Sequence, residues 1–470
     1  MIVANHHVFT FDDKKYAINP EKNTAESIDE KTAADLTNAA PIGNPIVNIA
    51  LFVTQECNLN CVYCYGEGGN YGSSGHMASN TAKKAVDWLV EQSGEVKKLG
   101  ITFFGGEPLM NFPLIKEVVE YANKITKEKD KTFTFGMTTN LSLLDEEKLT
   151  FLKDHKIMPL VSFDGPKEIQ DKQRPFKNKE CSTYDSSLPK IKELLSVMPD
   201  ISCRATMMED SDPVCVREAL CEIGFSTIHL SPASSSLFSE GTNKKQINID
   251  SYLQMLESDS GLILKNVKDR NSDNLKKMKK FNLLFECLGE FIYNKKRETP
   301  CGAGRGYVAV SNSGNIFLCH RFVGTEKYKL GSIYDNKLDR APYLMRTVNT
   351  IEKCSKCFAK YHCAGGCYHD NMGSTGSVFE QSENTCRLMK RIMELTAYIS
   401  CNLTEDDKEY LVKEKIISEK PETLEDLDKK KQNVMAELEE LGLTEEEYKN
   451  IFEGLSLDEF KSKYSKAIKL

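Results

Sequence analysis

The sequence has no uninterrupted apolar run of about 18 residues, the length a membrane-spanning helix needs, so a transmembrane helix is not expected. Its opening residues, MIVANHHVFTFDDKKY, lack the basic and apolar regions of a signal peptide, and the cytoplasm is the expected compartment. Basic charge is not in excess either. The net charge is −7, whereas nucleic-acid binding wants a basic footprint. Residues Asn402–Leu470 carry 12 Lys and Arg against 19 Asp and Glu, so the acidity sits in the tail and the remainder is close to neutral. No internal repeat of about 20–50 residues appears, which excludes a solenoid. What remains is a globular composition, 40% hydrophobic and 28% charged, in a 470-residue chain long enough for about two or three domains.

Against these absences stand 16 cysteines. A secreted disulfide framework would be shorter and would carry a signal peptide, so clustered cysteines in a reducing compartment read as metal ligands. Two stretches hold most of them, and the text between sets their context.

Residues 1–45 form a short leading segment. HVFTF and KYAIN flank the polar turn DDKK and predict a hairpin, with ESIDEKTAADL following as a helix. From 46 to 232, β-rich runs (46–53, 100–104, 133–139, 157–163, 202–208, 226–231) alternate with helical text. That alternation predicts an α/β fold with a parallel sheet wound as a full or partial barrel, with chemistry at the C-terminal strand ends. A serine-rich break at 231–246 leads to a helical region, 233–297. Residues 298–400 are loop-rich and cysteine-dense, and 401–470 read as an acidic helical tail with capping boxes at Thr444…Glu447 and Ser456…Glu459.

Cys57, Cys61 and Cys64 follow the first strand at spacing C-x3-C-x2-C. Three thiolates can hold three corners of an iron–sulfur cube and leave the fourth iron open. Zinc would want a fourth Cys or His nearby, and the nearest candidate is His76. The spacing, with Tyr63 before the last cysteine, resembles the signature of the radical S-adenosylmethionine (SAM) enzymes. The resemblance implies a partial (β/α)6 TIM-like barrel over 46–232. It also implies that SAM chelates the open iron and is cleaved to a 5′-deoxyadenosyl radical that takes hydrogen from the substrate. It extends to the FFGGEP stretch at 103–108, where Gly105 and Gly106 permit close backbone approach and Glu107 would accept from the SAM ammonium. Ser162 and Arg204, at later strand ends, match the residues at the SAM ribose and carboxylate. Asp164 and the DKQR run of 171–174 are expected at the substrate.

The second stretch reads Cys301, Cys319, then Cys354-x2-Cys357-x5-Cys363-x3-Cys367, then Cys386. This resembles the seven-cysteine SPASM domain, which holds two auxiliary [4Fe–4S] clusters; the alternative is structural zinc. By motif position Cys354, Cys357, Cys363 and Cys386 would hold one complete cluster, and Cys301, Cys319 and Cys367 three corners of the other. Cys287, fourteen residues upstream in amphipathic FNLLFECLGEFI, either completes that set or is a packed free thiol, the favoured reading. An open corner would accept a substrate thiolate.

The resemblance therefore implies three [4Fe–4S] clusters, SAM, an electron donor such as flavodoxin or ferredoxin, and a cysteine-containing precursor peptide as substrate, with no nucleic-acid or membrane partner. The texts around Glu107 and Cys319 look most like thioether-forming peptide maturases of the ranthipeptide or six-cysteine type. An anaerobic sulfatase-maturating enzyme and a carbon–carbon peptide crosslinking enzyme are the rival enzymes. A non-catalytic iron–sulfur carrier would keep the cysteines without needing Glu107, Ser162 and Arg204. Arg305, His320 and Arg321, beside ligand cysteines, are candidates for tuning a cluster or binding substrate. Residues 1–45 are a candidate leader-peptide element.

Overall fold

The computed structural model describes residues 45–418, save 179, 209–210, 234–248 and 336, together with the backbone of three strands within the first 28 residues. Those strands, β1 (His7–Phe11), β2 (Lys14–Asn19) and β3 (Thr24–Ile28), form an antiparallel sheet in the order β1-β2-β3. The expected hairpin is present. The expected helix is corrected at its start, because Glu26, Ser27 and Ile28 pair with Ala17, Tyr16 and Lys15 of β2. Here sheet pairing overrides local helical preference. The rest of that helix and the capping boxes of the tail lie outside the described residues.

Six parallel strands follow: β4 (Asn48–Thr54), β5 (Lys98–Gly105), β6 (Thr132–Thr139), β7 (Met158–Ser162), β8 (Ser202–Met207) and β9 (Thr227–Pro232). They pair in chain order, as the alternating text predicts. The crossovers carry α1 (Ser79–Gln92), α2 (Phe112–Lys129), α3 (Glu146–Asp154), α4 (Lys167–Gln173), α5 (Thr183–Val197) and α6 (Pro213–Ile223). Local chemistry sets their ends. Asp145, Ser182 and Asp212 accept backbone N–H groups at three N-termini, and Gly224 turns left-handed after α6. Strand β4 is buried on both faces from Ile49 to Thr54, as a strand inside a parallel sheet must be.

The cysteine-dense region contains more sheet than its text suggested. Strand β10 (Tyr307–Val310) pairs parallel to β4, with Val308 opposite Ile49. Strands β11 (Asn315–Phe317) and β12 (Lys329–Ser332) continue antiparallel, so the sheet reads β12-β11-β10-β4-β5-β6-β7-β8-β9. The barrel sheet thus runs across the expected boundary at 297/298. Helices α7 (Asp250–Lys268), α8 (Ser272–Lys279) and α9 (Leu283–Ile292) fill the region read as helical, and the helix Glu383–Cys401 packs on α7 and α9. Among the described residues, no helix is long and apolar enough to cross a membrane.

Candidate active site

The C-terminal ends of β4 to β9 open into a cavity of about 420 Å³. Cys57, Cys61, Tyr63, Cys64, Gly105, Gly106, Glu107, Ser162 and Arg204 all line it. Parallel winding brings them together: Arg204 lies within β8, Ser162 and Gly105 end strands, and the others follow strands. Tyr307, His320 and Arg321, from the cysteine-dense region, close the other side.

Glu107 anchors one end. Its carboxylate is 1% exposed and accepts from Thr139 Oγ1 at 2.7 Å, Asn140 N at 2.8 Å and Leu109 N at 3.1 Å. Burial pushes its pKa up to about 7 against these hydrogen bonds. Such a carboxylate gains by pairing with a cationic ligand group. The preceding glycines let the strand end approach the cysteine loop. A Cβ on Gly105, at φ +139°, would stand 1.9 Å from Thr54 O, and one on Gly106 would stand 2.3 Å from Glu56 O.

A buried polar hub supports the cysteine loop. Asp164, fully buried, accepts at Oδ1 from Arg174 Nη2 and Thr206 N, both at 2.9 Å. Its Oδ2 accepts from Tyr63 Oη at 2.5 Å and Gln173 Nε2 at 3.0 Å. Residues 173–177 then run against the loop. Val62 N donates to Gln173 O, Asn60 N to Pro175 O and Lys177 N to Asn58 O, while Lys177 Nζ reaches Gly68 O. In this structure Asp164 and Gln173 bond within this hub, Arg174 is tied to it through Nη2, and Asp171 accepts from Ser182, Thr183 and Tyr184. Their polar groups serve the fold where the sequence reading expected substrate contact. The i, i+10 spacing of Asp164 and Arg174 was the available signal, but only the fold shows that α4 folds back to make the pair.

On the opposite wall, Tyr307 Oη and His320 Nδ1 lie 2.7 Å apart, and burial, followed by the Arg321 charge, lowers the His320 pKa well below the ordinary range. Arg321 pairs with Asp370 at 2.9 Å and lies over the Tyr65 ring. Burial and the like charge of Arg321 lower the Arg204 pKa, and its carbonyl accepts from Phe163 N at 3.2 Å. Tyr65 and Tyr307 were missed by the sequence reading, since a tyrosine beside a cysteine or opening a strand carries no spacing signal. Arg305 is occupied elsewhere, donating to the carbonyls of Tyr343 and Leu344.

The seven downstream cysteines separate into two groups. Cys363 lies within electrostatic reach of Cys386, Cys354 and Cys357, and Cys319 within reach of Cys367 and Cys301. Cys287 joins neither: it is 1% exposed in α9, and its charged neighbours are Glu286, Glu290 and Arg297. Of the other cysteines, Cys203 is buried and donates to Phe163 O, Cys221 is half-buried, and Cys181, Cys215 and Cys401 are exposed. No group of three or more His, Cys, Asp or Glu side chains among the described residues converges as a single metal ion requires. His76 is half exposed, with its ring 3.9 Å from Glu56. Burial raises the Cys57 and Cys61 thiols, Cys61 to about 12.

Residues 51–209 match the Radical SAM superfamily model. Among curated proteins, it is 38% identical over 139 residues to the uncharacterized protein MJ0907 of Methanocaldococcus jannaschii, a match spanning 30% of this chain and 46% of that relative. It is 22% identical to the radical SAM cyclopropyl synthase TigE of Paramaledivibacter caminithermalis, over 83% of this chain and 82% of that protein. It is also 24% identical to a cysteine-type anaerobic sulfatase-maturating enzyme of Clostridium perfringens, over 67% and 86%. The chain thus spans less than half of the first relative and more than four fifths of the other two. Among solved structures, native anSMEcpe with bound AdoMet shares the fold at TM-score 0.60 and 19% identity, covering 76% of this chain and 100% of that one.

Proposed function

We propose that this radical SAM enzyme is a peptide maturase that joins a cysteine sulfur of a ribosomally made precursor peptide to a carbon of another residue. When bound, a [4Fe–4S] cluster and SAM supply the 5′-deoxyadenosyl radical that removes hydrogen from the acceptor residue. In this reading Cys57, Cys61 and Cys64 hold that cluster. Glu107 accepts from the SAM ammonium, Gly105 and Gly106 give backbone access, Tyr63 flanks the ligand, and Ser162 and Arg204 face its ribose and carboxylate. Cys354, Cys357, Cys363 and Cys386 form one auxiliary set of a SPASM domain at 298–400, and Cys301, Cys319 and Cys367 the other. A flavodoxin- or ferredoxin-type donor supplies electrons, and the β1–β3 sheet offers edges on which a leader peptide can add a strand.

The observation that carries the thioether reading is the set Cys301, Cys319 and Cys367 together with the burial of Cys287 elsewhere. Such a set leaves a ligand position that a substrate thiolate suits. Co-expression with a candidate cysteine-bearing peptide, followed by mass spectrometry, tests it. The expected product has lost two hydrogens and has one cysteine that no longer alkylates; an unmodified peptide despite 5′-deoxyadenosine release would overturn it.

The second reading is an anaerobic sulfatase maturase, favoured by the alignment over 86% of the Clostridium perfringens enzyme. It predicts conversion of a cysteine to formylglycine in a sulfatase-derived peptide, detected by aldehyde labelling. Carbon–carbon bond formation is the third, in keeping with the cyclopropyl synthase relative.

A further inference from the structure

Arg174 follows α4 and is 6% exposed. Its guanidinium is held on two sides, by Asp164 Oδ1 at 2.9 Å and by the face of the Tyr63 ring, 5.3 Å from the centroid. Asp164 already accepts two hydrogen bonds at each oxygen. It therefore fixes the guanidinium without satisfying all of it, and Arg174 Nε is buried with no partner among the described residues. A buried N–H without an acceptor is costly and calls for an explanation. Arg174 and Cys61 line the same cavity, and the Arg174 charge, after burial, acts most strongly on that thiol.

We infer that Arg174 Nε–H donates to sulfur at the Cys61 corner of the radical cluster, with Asp164 as the positioning residue that aims it. This rests on Cys61 being a cluster ligand. The acceptor missing among the described residues is then a ligand-set sulfur. The strap at 173–177 explains the rigidity, since its backbone bonds to Asn58, Asn60 and Val62 tie donor and acceptor segments together. A hydrogen bond to a ligand sulfur withdraws electron density from the cluster and makes its reduction easier, which is the role such outer contacts play at metal centres.

The test uses the full chain, anaerobically reconstituted, and an EPR-monitored redox titration of the reduced signal that shifts on adding SAM. Arg174→Lys keeps the positive charge and loses the planar fork; Arg174→Gln loses both. Both are expected to retain wild-type iron content, to show a more negative midpoint, and to release 5′-deoxyadenosine about tenfold more slowly with a weak reductant. A midpoint unchanged in both variants overturns the proposal. Loss of iron from the radical site in both variants, with the apo-protein circular dichroism unchanged, assigns Arg174 to bracing the cysteine loop and overturns it. Loss of apo-protein structure in both variants assigns Arg174 to folding and overturns it. No peptide enters these measurements, so failure of the thioether reading leaves their outcome standing.

Discussion

Thr139, the last residue of β6, donates its hydroxyl to Glu107 Oε1 at 2.7 Å, locking a carboxylate at the end of the neighbouring strand. Asn140 N and Leu109 N fix the remaining orientation, so the group is set before any ligand arrives.

Burial raises Glu107 to about 7, which makes ligand binding depend on pH. A carboxylate that pairs with an ammonium must first be ionised. Below about pH 7 the affinity for SAM is expected to fall by up to tenfold per pH unit as the proton must be shed. Glu107→Gln should bind weakly and show no such dependence. Equilibrium dialysis across this range checks both.

Gly105→Ala places a methyl 1.9 Å from a backbone carbonyl at a φ of +139°. Backbone cannot yield as a flexible side chain would, so a stability loss of about 2–4 kcal/mol is expected in thermal unfolding. Gly136→Ala is the comparison: its Cβ would meet Thr102 Oγ1 at 3.6 Å, an ordinary contact, and the loss should be under about 1 kcal/mol.

Cys287→Ala should leave iron and sulfide content at the wild-type level and cost about 1–2 kcal/mol through lost packing. Cys367→Ala should lower iron content. Equal iron loss in the two variants would make Cys287 a ligand.

Asp407 joins the capping box at Thr404 to α7, pairing with Lys268 and, at 2.8 Å, with Arg270. Burial pushes its carboxyl up, but hydrogen bonds from Lys268, Thr404 and Arg270 outweigh that and hold it well below the usual carboxylate range. Its contribution is therefore complete above that range and is lost as pH falls through it toward the depressed value. Asp407→Asn is expected to cost about 2 kcal/mol at neutral pH, with the difference from wild type shrinking in acid unfolding titrations.

The six barrel strands were legible because a buried parallel strand must be apolar throughout, and such runs separated by helical text stand out. The cysteine groups were legible because ligand spacing is a property of the chain itself. Strands β10 to β12 were not: they are three or four residues long, and Val308 is in a strand because Ile49 is beside it. Asp164 and the DKQR run show the same limit. Their residue types announce polar work without saying toward what.

By itself the sequence determined the candidates for chemistry: the two spaced cysteine sets and the polar residues of the strand and loop segments between them, since covalent order and side-chain type are enough for that. The tertiary structure alone decided their partners. It turned Asp164 and Arg174 inward to support the cysteine loop, and it left Cys287 among Glu286, Glu290 and Arg297, apart from Cys301, Cys319 and Cys367. The physical reason is that hydrogen bonds, burial and charge contact act through distances of a few ångströms, and only the folded chain sets those distances.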